Sequence, residues 1–143
     1  MPKKKAQADS AVEEPLSHGE IRDAISVLDQ ALFNHTQWTD ALNITLICHL
    51  RPDDRDMSAH AYRNCRFGQW YYSDDAAVLR HNPNFIELEA AHRSMHERAA
   101  HLLTMSTDRR EIPMADYEQI THELKRMRLQ IETLKHELEG KIY

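Results

Sequence analysis

The residues with the clearest capacity for chemistry are two histidines that lie four positions apart in the stretch HRSMH, residues 92 to 96. In a helix this spacing places both imidazoles on one face, one turn apart, where they can reach one metal ion from the same side. Histidine is frequent in this chain, at 10 of 143 residues, so such a pair also arises by chance. The pair therefore indicates a metal site only if other ligands join it.

Helical periodicity supplies one further candidate ligand, and a cysteine supplies another. In the first predicted helix, apolar residues recur at steps of four and three, and His35 occupies one position on that apolar face. His92 and His96 lie on the apolar face of a later helix. For any one of these residues, an ordinary core histidine satisfied by a neighbour is the simpler interpretation. Three imidazoles on inward faces, with Cys65 as a thiolate, suit tetrahedral zinc.

Capping signals locate the helices that position these residues. Ser17 followed by Glu20 is a capping box and predicts a helix from residue 17. Asn82 followed by Pro83 predicts a second helix, with asparagine as the cap and proline at the first position. A third helix is predicted from near Pro113, and seven of its apolar residues follow a heptad spacing: Tyr117, Ile120, Leu124, Met127, Ile131, Leu134 and Leu138.

The remaining segments are shorter. Residues 51–56 are a charged loop, residues 58–73 are rich in aromatic side chains, and residues 74–80 are predicted to form a short helix. There are 3 glycines and 5 prolines, too few turn residues for an all-β protein. The predicted fold is all-α: an antiparallel four-helix bundle with additional short helices.

The pattern also predicts how the chain is divided. Residues 1–16 lack periodicity and are predicted to be a disordered tail. Residues 17–112 form the helical bundle that carries the candidate ligands, and residues 113–143 form a C-terminal bundle helix.

Composition excludes several classes of function. The chain has 18 basic and 23 acidic residues, a net charge of -5, which argues against nucleic-acid binding. No apolar stretch approaches the roughly 20 residues needed to span a bilayer, so no membrane partner is expected. The absence of a hydrophobic signal segment predicts a cytoplasmic location. Two cysteines cannot form a disulfide framework, and a reducing compartment would keep both as thiols.

A zinc hydrolase is also a poor match. The H-E-x-x-H motif of such enzymes needs a glutamate after the first histidine, and here Arg93 follows His92. A catalytic zinc keeps one position open for water, and Cys65 would close it. We therefore predict no catalytic residues and no cofactor other than zinc.

Three short motifs occur in a fixed order: HTQW at residues 35–38, CRFGQW at residues 65–70, and AH at residues 91–92 with a second histidine one turn later. Together they resemble the chemoreceptor zinc-binding domain family, also called the CZB domain. The resemblance extends over roughly residues 20–130 and implies a helical bundle that holds zinc through three histidines and one cysteine. The implied ligands are His35, Cys65, His92 and His96.

The resemblance also implies a signalling output. The family occurs in chemoreceptors and in diguanylate cyclases, and the cyclase version places the sensor before a helix that leads into a GGDEF domain. Residues 113–143 are similar to that helix and lack a clear stop, although Gly140 would also serve as a simple end. The implied function is zinc inhibition of cyclic di-GMP synthesis by a C-terminal diguanylate cyclase domain absent from this chain. The implied dimer is parallel, through the first and last helices.

Two alternatives stay open on the sequence. One is a zinc- or oxidant-sensing module of a chemotaxis-type signalling protein, in which oxidation of Cys65 would release the metal. The other is a structural adaptor bundle that zinc only stabilises.

Several other residues carry structural expectations. Cys48 is predicted to be a small buried hydrophobe. Gly68 is expected to allow a tight turn, and Trp38 and Trp70 are expected to pack the core beside the ligands. The remaining histidines are predicted to lie at or near the surface: His18, His49, His60, His81, His101, His122 and His136.

Overall fold

The structure is a computed structural model, and it describes residues 16–109 and 111–142. These residues form three long helices and four short helical segments, with no strand among them, which confirms the all-α prediction. The predicted tail, residues 1–16, lies outside the described residues except for Leu16. The elements in order are α1 (His18–Ile47), a 3-10 helix (Asp54–Met57), α2 (Ala61–Asn64), α3 (Arg66–Tyr71), a second 3-10 helix (Asp74–Leu79), α4 (Pro83–Arg109) and α5 (Met114–Glu139).

Two helices begin where their caps predict. The Ser17 hydroxyl accepts a hydrogen bond from the backbone N–H of Glu20 at 3.1 Å, and the Glu20 carboxylate accepts one from the N–H of Ser17 at 2.9 Å. At the start of α4, the Asn82 side-chain oxygen accepts from the N–H groups of Asn84 and Phe85. Each cap satisfies backbone donors that have no partner inside the helix.

The end of α1 corrects one expectation. Cys48 caps the helix and is exposed, so the prediction of a buried hydrophobe is wrong. It lies two residues beyond buried Leu46, and two residues turn a helix by more than half a circle, so its side chain leaves the apolar face. His49 then adopts a left-handed backbone conformation with φ 53°, which ends the helix.

α5 packs against both other long helices and is antiparallel to each. Its C-terminal end meets the start of α4, where Glu137 accepts hydrogen bonds from the side-chain amides of Asn82 and Asn84. Three contacts with α1 show the same direction, because the α5 number falls as the α1 number rises: Asp29–Lys135 at 2.7 Å, Thr36–Arg128 at 3.1 Å and Asn43–Tyr117 at 2.9 Å.

The fourth side of the bundle consists of short helices. The first 3-10 helix and α2 pack against α4, and α3 connects them to the second 3-10 helix. This arrangement directs the segment that carries Cys65 toward the inward face of α4. Across the described part of the chain, no helix has both the length and the apolar character needed to cross a membrane.

Candidate metal centre

α4 carries its two histidines into the interior. His92 and His96 are 4% and 6% exposed, and their ring centroids lie 4.7 Å apart with nearly perpendicular planes. Most of the other residues on this face are apolar, and three of them are fully buried: Leu88, Ala91 and Ala99. The helix therefore buries two polar rings where its pattern places hydrocarbon, and it holds them one turn apart.

Cys65 reaches these rings from the junction of α2 and α3. It is the N-cap of α3, and its Sγ accepts a hydrogen bond from the backbone N–H of Gly68 at 3.3 Å. The same sulfur lies 3.7 Å from the carbonyl oxygen of Tyr62 and 3.3 Å from Nε2 of His92. The backbone of the short helix thus fixes the sulfur beside the first histidine of α4.

Gly68 has a different role from the one its sequence context indicates. It lies inside α3 without a positive φ, so it does not serve a tight turn. A Cβ at this position would lie 2.0 Å from the carbonyl oxygen of Tyr62, and only glycine permits α2 and α3 to approach this closely. Phe67 packs edge-on against His92, with ring centroids 5.0 Å apart, and Trp70 packs against Phe67. This packing anchors the cysteine segment to α4.

The donor atoms of Cys65, His92 and His96 lie within 4.8 Å of one another. Bonds of about 2.0 Å to nitrogen and about 2.3 Å to sulfur place tetrahedral zinc ligands roughly 3.5 Å apart, so small side-chain movements bring all three donors to one ion. Within the part of the chain that the structure describes, this is the one group of three or more such side chains. The cluster fits a zinc site.

His35 lines the same cavity, of about 560 Å³, but it is not a member of the three-donor cluster. It lies on α1, is 9% exposed, and its Nε2 is 3.1 Å from the carbonyl oxygen of Leu124 on α5. Its Nδ1 is buried without a hydrogen-bond partner among the described residues, and so is Nδ1 of His96. Buried nitrogens without partners are costly, so this donor set agrees with a site that a metal ion completes.

Burial sets the protonation of the site. Burial, together with a smaller effect of the neighbouring imidazoles, lowers the pKa of His92 to about 3 and of His96 to about 4. Burial also lowers the pKa of His35, against an opposing effect of the Leu124 hydrogen bond. The same desolvation raises the pKa of the Cys65 thiol. At neutral pH the imidazoles are therefore neutral and ready to bind, whereas the sulfur must lose a proton to the solvent.

Trp38 covers one side of the site. Its ring lies 5.1 Å from the His96 ring, and its indole N–H donates to the Asp56 carboxylate at 3.1 Å. Trp38 thus packs beside a proposed ligand, as predicted, but that ligand, His96, lies on α4 and not on the helix that carries Trp38. Asp56 was not predicted to lie beside the site, because in the sequence it is only one acidic residue of a charged loop. The contact joins residues 18 positions apart, and no local pattern marks it.

The other histidines lie away from the centre, as predicted. All seven are exposed: His18, His49, His60, His81, His101, His122 and His136.

Comparison with known families agrees with this geometry. Residues 35–103 match the family model described as the chemoreceptor zinc-binding domain. The matched segment begins at His35 and includes the three-donor cluster. Neither the curated proteins nor the solved structures gave a significant match.

Proposed function

We propose that the chain, whose residues 35–103 match the model of the chemoreceptor zinc-binding domain family, binds one zinc ion and reports it to a signalling output. The proposed ligands are His35, Cys65, His92 and His96. The observation that carries the proposal is the buried cluster of one sulfur and two imidazoles, with a third imidazole on the wall of the same cavity.

The imidazole ligands and the cysteine ligand make different contributions to metal binding. The three imidazoles are held neutral by burial and offer lone pairs without a proton to displace. Cys65 supplies the only negative charge, once its thiol has lost its proton. Bound zinc would supply coordination bonds that join α1, the cysteine segment and α4. Three nitrogens and one sulfur leave no open position for a reacting water, which supports a regulatory role.

The residue beside the first histidine supports the same conclusion. Arg93 lies on the exposed side of α4 and pairs with Glu97, one turn later, at 3.1 Å. A zinc hydrolase with this histidine spacing would place its general base at position 93. The arginine at this position therefore favours a regulatory sensor over a zinc hydrolase.

Zinc binding can supply enough free energy for a conformational signal. Structural zinc sites contribute on the order of 10–16 kcal/mol at neutral pH, and a nearly complete two-state switch needs about 5.5 kcal/mol. α5 packs against both helices that bring histidines to the site, so a change in their positions reaches α5 directly.

We propose a diguanylate cyclase domain as the output, inhibited when zinc is bound. The heptad-patterned α5 supports this proposal, because it follows the sensor as the connecting helix does in cyclase-linked members of the family. The test joins this chain through α5 to a GGDEF domain and follows cyclic di-GMP formation as free zinc is varied. Synthesis should fall as zinc rises in the wild type and should not respond in Cys65→Ala. A wild-type rate that is independent of zinc would refute this output but not the metal site.

The sensor is proposed to act as a parallel homodimer through α1 and α5. Exposed apolar side chains on both helices support a second copy as the partner. On α1 these residues are spaced by nearly whole helical turns, so they form one stripe. They are Phe33, Ile44 and Ile47 on α1 and Leu129 on α5, each more than half exposed. Light scattering should give a dimer, which Ile44→Glu should convert to a monomer. A monomeric wild type at micromolar concentration would refute the dimer.

The primary proposal is tested by elemental analysis. The purified wild type should contain about one zinc per chain, and Cys65→Ala and His92→Ala should contain much less. His101→Ala is the matched control, because His101 lies on the same helix and is exposed. No zinc in the wild type after a metal-replete preparation would refute the sensor. Zinc that does not exchange near cellular free concentrations would favour the structural adaptor instead.

A further inference from the structure

The hydrogen bond between His35 and Leu124 assigns different roles to the two imidazole nitrogens. It is buried, and it joins residues 89 positions apart on α1 and α5. The Leu124 carbonyl is only an acceptor, so Nε2 of His35 must carry the proton. In a neutral imidazole the lone pair then resides on Nδ1.

The free nitrogen belongs to a residue that lines the cavity of the candidate site but lies outside its three-donor cluster. Nδ1 of His35 is fully buried and has no hydrogen-bond partner in the described chain, and its ring lines the cavity shared with the other donors. A lone pair buried in this way is costly unless a ligand uses it. We infer that His35 binds the metal through Nδ1 while its Nε2–H stays on the Leu124 carbonyl, so that this one imidazole links the metal to α5. The inference rests on the proposed zinc site.

The helix that carries the Leu124 carbonyl determines which part of the bundle the His35 hydrogen bond connects to the metal. Metal-bound histidines usually donate their second nitrogen to a carbonyl or carboxylate, which fixes the ring and its tautomer. Here that carbonyl belongs to α5, a helix that supplies none of the proposed ligands. Met127 of the same helix lines the cavity one turn further on. Metal binding that orders the His35 ring therefore orders this turn of α5 as well, without any ligand on that helix.

The binding atom can be identified directly by nuclear magnetic resonance. The protein is labelled with ¹⁵N-histidine and loaded with ¹¹³Cd in place of zinc. We expect a one-bond cadmium–nitrogen coupling at Nδ1 of His35, and a proton retained on Nε2. Coupling at Nε2 would overturn the inference. Coupling at the other histidines but not at His35 would also overturn it, and would leave a three-ligand metal site intact. Failure to bind any metal would refute the proposed function itself.

The link to α5 is tested by two substitutions that separate the two nitrogens. The side-chain amide of glutamine can take the place of Nε2, and that of asparagine can take the place of Nδ1. His35→Gln should lose at least tenfold in zinc affinity but keep the wild-type rate of amide hydrogen exchange at residues 124–128 in the metal-free protein. His35→Asn should speed that exchange by about tenfold, as expected for the loss of one buried hydrogen bond.

Zinc itself completes the test. It should slow exchange at residues 124–128 in the wild type by at least tenfold, and by much less in both variants. Equal slowing in wild type and His35→Asn would show that α5 responds without this hydrogen bond, and would overturn the link.

Discussion

The metal-free protein should lose stability as the pH falls from 7 to 5, because it buries imidazoles that cannot take up protons. The folded-state pKa is about 3 for His92 and about 4 for His96, compared with the usual value of 6.5. Between pH 6.5 and about 4, the unfolded chain binds protons that the folded chain does not, so the free energy of unfolding falls with pH. Each pH unit in this window is worth about 1.4 kcal/mol per group. At pH 5 the loss is about 2 kcal/mol for each histidine, or about 4 kcal/mol together.

The assay is urea unfolding at pH 7, 6 and 5 in the presence of a chelator. A variant with both His92→Gln and His96→Gln should lose most of the pH dependence. His101→Gln should keep it, since that side chain is exposed on the same helix. A fall of less than about 1 kcal/mol in the wild type would refute the reasoning, because it would mean that the folded protein admits the protons. An unchanged slope in the double variant would refute it equally.

Three further predictions concern the surroundings of the site. Gly68→Ala should lower the free energy of unfolding by about 1–3 kcal/mol or more in urea, because its methyl group would meet the Tyr62 carbonyl. Gly19→Ala, at an open position, should have no such effect. Equal effects of the two substitutions would contradict the packing argument. Zinc affinity, measured against a competing chelator, should fall about tenfold for each pH unit from 8 to 6, since burial raises the pKa of the Cys65 thiol that must lose its proton; a flat profile would contradict this. Asp56→Ala removes the acceptor of the Trp38 indole N–H and should speed zinc release to a chelator by about fivefold. Asp56→Asn keeps an acceptor oxygen and should release zinc at close to the wild-type rate. Identical release rates in all three proteins would show that this contact does not restrain the metal.

The fold was largely predictable because its determinants are local. The capping box at Ser17 and the Asn82 cap are complete within four residues, and both form as expected. The inward positions of His35, His92 and His96 follow from helical periodicity, which requires no knowledge of the partner helix. Residue type and spacing were sufficient to place these side chains in the core.

The parts that could not be predicted depend on contacts between distant segments. The Asp56–Trp38 hydrogen bond and the contact of His35 with the α5 backbone need the register of packed helices, which periodicity does not specify. The need for glycine at position 68 arises from a neighbouring helix, not from its own backbone conformation. The prediction for Cys48 was wrong for a different reason: its residue type favoured burial, but its position at the end of a helix left the side chain exposed.

Burial of the three imidazoles lowers the stability of the metal-free protein, and it also makes that stability sensitive to metal. Hydrocarbon at the three histidine positions would satisfy the core without unpaired nitrogens, so these imidazoles reduce the stability of the metal-free bundle. Metal that binds only the folded chain offsets this loss of stability, and the gain grows with the logarithm of its free concentration. At 100 times the dissociation constant, it raises the free energy of unfolding by about 2.7 kcal/mol. This gain is comparable to the penalty at one or two buried imidazoles near pH 5. At the proposed site, free zinc would therefore set how firmly α1, α4 and α5 are held together, whereas a hydrocarbon core would fix this permanently.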